Sequence, residues 1–150
     1  VKVNFLEDRS LKEKEVIVEV KACLEDEEVD SLISFIKKFK QKNKRLLPVK
    51  SEDRIFTIKT KNIIKIEVQG TELTYYLPEE TIKTKGRLYQ VLDKLNMDFV
   101  QVSRHAIVNI NYLESLEAGF VGNMIAKLDY GYKAEISRRY MKDLEKRLGL

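Results

Sequence analysis

The chain has 150 residues, 43% hydrophobic and 35% charged, enough apolar material for one domain-sized core and too much for a largely disordered chain. The 28 Lys and Arg outweigh the 24 Asp and Glu to give a net charge of +4, so a basic surface has to come from clustering and not from bulk charge. A single cysteine, Cys23, and a single histidine, His105, exclude an internal disulfide, CxxC pairs and two-His zinc motifs, and neither a GxxxxGK[ST] phosphate loop nor an apolar span of about 18 residues is present.

The first residues, Val1-Lys2-Val3-Asn4-Phe5, lack a basic flank followed by an apolar signal core, which together with the lone cysteine predicts a soluble, cytoplasmic protein that does not span a membrane. Lys2 to Leu6, and Val16, Val18 and Val20 alternating with Ile17, Glu19 and Lys21, predict a two-stranded start. Glu25 to Glu28 and Asp30 then lead into Val29, Leu32, Ile33, Ile36 and Phe39 at helical spacing, and Lys37, Lys38, Lys40, Lys42, Lys44 and Arg45 close the run. The basic run could be a nucleic-acid arm, but acids at the start and bases at the end match a helix dipole, which favours a solvated helix end. Cys23 reads as a small buried hydrophobe and not as a redox sensor, because no neighbouring base would lower its pKa. Residues 1–46 thus form a small α+β segment, a candidate regulatory or dimer contact. Pro48 marks the boundary, followed by a turn at Lys50-Ser51-Glu52-Asp53, and 47–150 form the main domain.

From Arg54 onward short β-like runs dominate: Arg54 to Lys59, Ile64 to Val68, Glu72 to Leu77, Thr81 to Lys85, Phe99 to Ser103, Leu113 to Glu117, Val121 to Leu128 and Lys133 to Ser137. Gly70-Thr71 and Tyr130-Gly131 supply turns. Leu88, Val91, Leu92 and Leu95, and then Tyr140, Leu144 and Leu148, repeat at helical spacing. No internal repeat or low-complexity tract interrupts this mainly β pattern with peripheral helices.

Polar residues crowd three places where loops interrupt strands: Gln69-Gly70-Thr71-Glu72, Ser103-Arg104-His105 and Ser137-Arg138-Arg139. Arginine pairs two donors with guanine O6 and N7, so an arginine on a loop fixed between strands is suited to a DNA groove; the competing view makes these ordinary surface cations. Arg138 and Arg139 sit before a helix, where the dipole disfavours cations, and so invite an anion. His105 reads as a loop side chain facing water or phosphate. Catalysis through it would need partners that the motifs do not provide, so no enzyme activity, catalytic residue, metal or cofactor is expected. Tyr75, Tyr76, Tyr89, Tyr130, Tyr132 and Tyr140 could stack on single-stranded RNA, but their spread through strands and helices favours core or rim packing.

The run Phe99-Val100-Gln101-Val102-Ser103-Arg104-His105-Ala106-Ile107-Val108-Asn109 resembles the central signature of LytTR-type DNA-binding domains, in which a Phe opens a strand, a His/Ser-Arg/Lys step follows and a hydrophobic-Val-Asn triplet closes it. Ser103 stands where His is common and His105 where a small polar residue is common. Asn62-Ile63-Ile64-Lys65-Ile66-Glu67 is similar to the family's DI-x-YIE opening strand, with Asn62 for Asp and Lys65-Ile66 for the residue-Tyr pair. Ala134-Glu135-Ile136-Ser137-Arg138-Arg139-Tyr140 is similar to the family's step into its last helix. The likeness runs from Asp53 to Leu150, and the segment before it resembles the leader of stand-alone members without a receiver domain.

This resemblance implies about ten mostly antiparallel strands whose loops enter successive major grooves of double-stranded DNA and touch the minor groove between them, with no recognition helix. It places Arg104 and Arg138 at DNA-contacting loop positions and Thr71 and Glu72 at a third, where Glu72 departs from the pattern: it would repel phosphate or accept from cytosine N4. Ser103, His105 and Arg139 flank these positions, and Lys133 and Lys142 are candidate phosphate contacts. Asn109 reads as structural, satisfying nearby backbone groups at a strand end. Paired direct repeats as sites imply two copies side by side on DNA, and stand-alone members are often restrained by a small membrane protein, for which residues 1–46 are the candidate contact. The expected function is a sequence-specific transcriptional regulator; the alternative is a β-rich interaction or ligand-binding module whose basic loops meet an acidic partner.

Overall fold

The computed structural model describes residues 2–13, 15–42 and 46–150 and comprises two compact units, Val1–Lys37 and Lys38–Leu150. The first unit is irregular chain leading into α1 (Glu27–Lys42). Asp26 starts the helix: its Oδ1 accepts from Val29 N–H at 2.9 Å and its carbonyl from Asp30 N–H at 2.9 Å, while Glu27, Glu28 and Asp30 complement the dipole of the first turn. The two strands expected over Lys2 to Leu6 and Val16 to Lys21 do not form. Between them the chain folds back locally, with Glu15 N–H on the Lys12 carbonyl at 2.9 Å, and an isolated strand pair lacks the third partner that stabilises a ribbon in water. For the same reason Cys23 is exposed and not buried.

The second unit is mainly β, as expected. β1 (Leu46–Lys50) and β2 (Ile55–Lys59) form an antiparallel ribbon closed by the turn at residues 51–54, where Ser51 N–H donates to the Arg54 carbonyl at 2.8 Å. Pro48 lies inside β1 opposite Thr57; a two-stranded ribbon leaves open edges where a residue without N–H is tolerated. After a 3-10 turn at Thr60–Asn62 come β3 (Lys65–Gln69), β4 (Glu72–Tyr76), β5 (Thr81–Lys85), the short α2 (Leu88–Leu92), β6 (Phe99–Gln101) and β7 (Ala106–Asn109). The five strands form one antiparallel sheet ordered β5-β4-β3-β7-β6. A second sheet, ordered β10-β9-β8, is built from β8 (Leu113–Ala118), β9 (Met124–Leu128) and β10 (Lys133–Ile136), and α3 (Arg138–Leu148) ends the chain.

Alternation in β3 to β5 directs Ile66, Leu73, Tyr75 and Ile82 into one core with the β1–β2 ribbon and α2. The opposite face buries Val100, Val102, Ala106 and Val108 against Ala126, Leu128, Ala134 and Ile136 of the second sheet and Leu144 of α3. β7 lies between the two cores and all four of its residues are buried. Two polar groups hold these layers in register. Asn109, 1% exposed, donates from Nδ2 to the Ile63 carbonyl at 2.9 Å and accepts from Asn111 N–H at 3.0 Å, the structural role its sequence context suggests. Lys65, 6% exposed, donates to Glu67 Oε1 at 2.7 Å and to the Lys133 carbonyl of β10 at 2.8 Å, with its ammonium 4.3 Å from the Tyr76 ring centroid. Tyr76 in turn donates to Glu67 Oε2 at 2.7 Å and meets Tyr132 edge to face. The buried cation is thus fully partnered and ties the two sheets together.

Candidate nucleic-acid interface

Strand register decides where the polar loops go. β3 ends at Gln69 and β4 begins at Glu72, its register partner, so Gly70-Thr71 is a two-residue turn with Gly70 at φ 61°, a conformation that favours glycine. β7 begins at Ala106 opposite Glu67 of β3, which brings the β6–β7 loop to the same end of the sheet. Two backbone bonds fix it there: Val68 N–H donates to the His105 carbonyl at 2.8 Å, and Ser137 N–H donates to the Val102 carbonyl at 2.9 Å. The second bond docks the start of α3 onto the loop that carries Arg104.

The structure therefore gathers Thr71, Glu72, Ser103, Arg104, His105, Ser137, Arg138 and Arg139 along one edge, each exposed except the half-buried Ser103. Ser103 Oγ accepts from His105 N–H at 3.1 Å and its carbonyl accepts from Gln101 Nε2 at 2.9 Å, so the loop is braced from within while Arg104 stays outside the bracing. Glu72 lies 2.9 Å from Lys83 Nζ, and this cross-strand pair offsets the charge that its position would turn toward phosphate. At α3 the first turn carries Arg138 and Arg139, no acid, and no side-chain cap from Ser137. Cations and open N–H groups together make that end electropositive. Leu144, fully buried, anchors the helix, and Arg147 donates to the Met97 carbonyl at 2.9 Å.

Lys142 lies on α3 one turn beyond Arg138, on the same face. Lys133 stands apart from this group. It opens β10 whereas Ser137 follows its last residue, about 13 Å along the strand. Its neighbours there include Lys127 and Glu117, whose carboxyl is held below the ordinary value first by its hydrogen bond from Lys127 and more weakly by Lys133 itself. One further residue belongs to the edge. Gly86 N–H donates to the Thr71 carbonyl at 2.9 Å, placing the exposed Arg87 next to the β3–β4 turn. A Cβ on Gly86 would come 2.6 Å from Leu73 Cδ1, so glycine is what lets the chain pass this closely. An arginine at a helix start, as at Arg138, was the available signal for Arg87.

The β3–β4 turn and the β6–β7 loop lie on four adjacent strands, β4 to β6, three strand spacings or about 14 Å across. The tyrosines are not arranged as a stacking platform: Tyr75 is 3% exposed, Tyr76 and Tyr132 sit in the inter-sheet clasp, and Tyr89 and Tyr130 are the exposed ones. Among the described residues no group of three or more His, Cys, Asp or Glu could hold a metal ion, and no helix is long and apolar enough to cross a membrane.

Comparison with known proteins agrees with this geometry. The family model described as "LytTr DNA-binding domain" matches residues 53–149. The sensory transduction protein LytT of Enterococcus faecalis is 27% identical over 105 residues, covering 69% of this chain but 43% of that protein, so the match spans less than half the relative's length. The uncharacterized HTH-type transcriptional regulator SAS2254 of Staphylococcus aureus is 26% identical over 142 residues, 93% of each chain. A solved LytTr DNA-binding domain from Bacillus cereus superposes with a TM-score of 0.63 at 21% identity, covering 72% of this chain and 100% of that one, which shows the shared fold. With its match over 53–149 and its ten-stranded architecture, the chain belongs to the LytTr DNA-binding domain family.

Proposed function

We propose that the protein is a sequence-specific, double-stranded-DNA-binding transcriptional regulator that reads major grooves with loop side chains. The observation that carries this reading is the convergence of three loops on one sheet edge, tied by the Val68–His105 and Ser137–Val102 backbone bonds, with Arg104 and Arg138 exposed on rigid supports. In this assignment Arg104 and Arg138 reach base edges. Arg139, Ser103, His105, Thr71 and Glu72 with its Lys83 partner set the position on the backbone, and Lys142 contributes a phosphate contact. Lys133 is the weakest member of the set because of its distance along β10.

Sites are paired direct repeats occupied by two copies, the protein acts in the cytoplasm where the DNA is, and residues 1–46 form the contact for a second copy or a small membrane-protein regulator. No catalytic step, metal or cofactor is assigned. The test is titration of the full chain with a bound duplex and a scrambled duplex of equal length over a salt series. Loss of affinity on scrambling, with a steep salt slope on both, is the expected result. Binding indifferent to sequence, or none, would favour the acidic-partner reading instead.

A further inference from the structure

No described residue of the first unit is buried, although it holds Val3, Phe5, Leu6, Val16, Ile17, Val18 and Leu24. Val16, Ile17 and Val18 are 77%, 69% and 55% exposed in a run whose pattern is that of a strand. Among the described residues, the backbone groups from Val16 to Lys21 make no hydrogen bond to other backbone. Such a segment is an open template for another strand.

Its own sequence is complementary to itself. In the run Glu15-Val16-Ile17-Val18-Glu19-Val20-Lys21, antiparallel pairing about Val18 sets Val18 against Val18, Val16 against Val20, and Glu15 against Lys21 at both ends. One face of the resulting ribbon is then all valine. Val20 already lines a shallow hollow with Leu24 and with Val29 and Ile33 of α1, so that valine face has an apolar helix stripe to pack against. Among the described residues Lys21 pairs with Glu19 of its own segment, at 3.2 Å between two exposed groups, an interaction of little weight against a cross-strand partner.

We infer that the occupant of this strand template is a second copy of the chain, and that residues 15–21 of two copies form an intermolecular antiparallel ribbon centred on Val18. This assignment does not depend on the DNA reading, since it is tested on free protein.

The ribbon predicts one register. Directly opposed residues in an antiparallel pair have Cα atoms about 4.5–5.5 Å apart, within the range a disulfide accepts. In full-length Cys23→Ser protein, Val18→Cys should therefore oxidise to a covalent dimer at least about tenfold faster than Ile17→Cys, which faces Glu19 of the other copy. Glu15→Lys and Lys21→Glu should each weaken self-association in sedimentation velocity about tenfold. Mixing the two variants, or combining both changes in one chain, should restore it, because the opposed residues at 15 and 21 again carry opposite charges. All four positions lie in exposed, irregular chain, so these variants do not threaten the folded second unit. Equal crosslinking at positions 17 and 18 would overturn the proposal, as would charge reversals that are not rescued by their complement or a chain that stays monomeric throughout the concentration series.

Discussion

Replacing Arg104 or Arg138 by alanine separates base reading from mere attraction to DNA. Both side chains are exposed and, among the described residues, neither makes a hydrogen bond or ion pair within the protein, so the folded state should lose no more than about 0.5 kcal/mol. The scaffold beneath them is rigid: Val102 and Ile136, the buried residues closest to each loop, are 0% and 2% exposed. A bidentate arginine on guanine discriminates by about 1–3 kcal/mol, so each variant should lose roughly 5- to 150-fold on the preferred duplex and much less on a scrambled one. The 2.9 Å bond between Ser137 and Val102 joins only the bases of the two loops. If the arginines occupy separate grooves, the double variant should lose the product of the single losses to within about 0.5 kcal/mol. Fluorescence anisotropy on matched and scrambled duplexes at one salt concentration measures all three variants, with thermal unfolding as the control for fold. Equal losses on both duplexes would reduce the arginines to phosphate clamps. No loss would remove them from the interface and refute the assignment.

Lys142→Gln should weaken all duplexes alike and lower the salt slope by about one unit, and Lys133→Gln, at the far end of β10, should lower it by less; the two titrations compared side by side check this. Lys65→Met removes the buried cation and takes one donor from Glu67, at Oε1, and one from the Lys133 carbonyl, while Tyr76 still donates to Glu67 Oε2, so urea unfolding should show a loss of about 2–3 kcal/mol with little change in the DNA-contact loops. Burial raises the phenols of Tyr75 and Tyr76 to about 12, with Glu67 adding to the shift at Tyr76. The folded state thus keeps protons that the unfolded chain releases near pH 10, so stability should fall as pH rises from about 10 to 12, and phenolate absorbance should appear in that window together with unfolding.

Most of the sheet could be read along the chain because one face of each strand is buried and the other is not: β2, β4, β5 and β10 alternate as a half-buried strand must. β7 could not be read this way. Ala106 to Asn109 are buried on both sides, and a short continuous apolar run carries no period. β1 was hidden by Pro48, which locally argues against a strand and is accommodated only because the ribbon has open edges. The run from Val16 to Lys21 shows the reverse case, a strong strand pattern without a strand partner among the described residues.

At the site, the individual arginines were legible from their positions at strand ends. Their convergence was not, since it depends on the β3–β7 register and on one bond from Ser137 to Val102, residues 35 positions apart. The partner that moderates Glu72 comes from across the β4–β5 pair, beyond the reach of any local pattern.

The most direct test of groove reading by this edge is selection of duplexes bound by the full chain from a random pool, followed by sequencing. A sequence-specific regulator enriches a defined motif, guanines appear at the positions facing Arg104 and Arg138, and the motif recurs as a paired direct repeat. Bound duplexes with the composition of the starting pool, recovered in a salt-sensitive manner but without any motif, would contradict it.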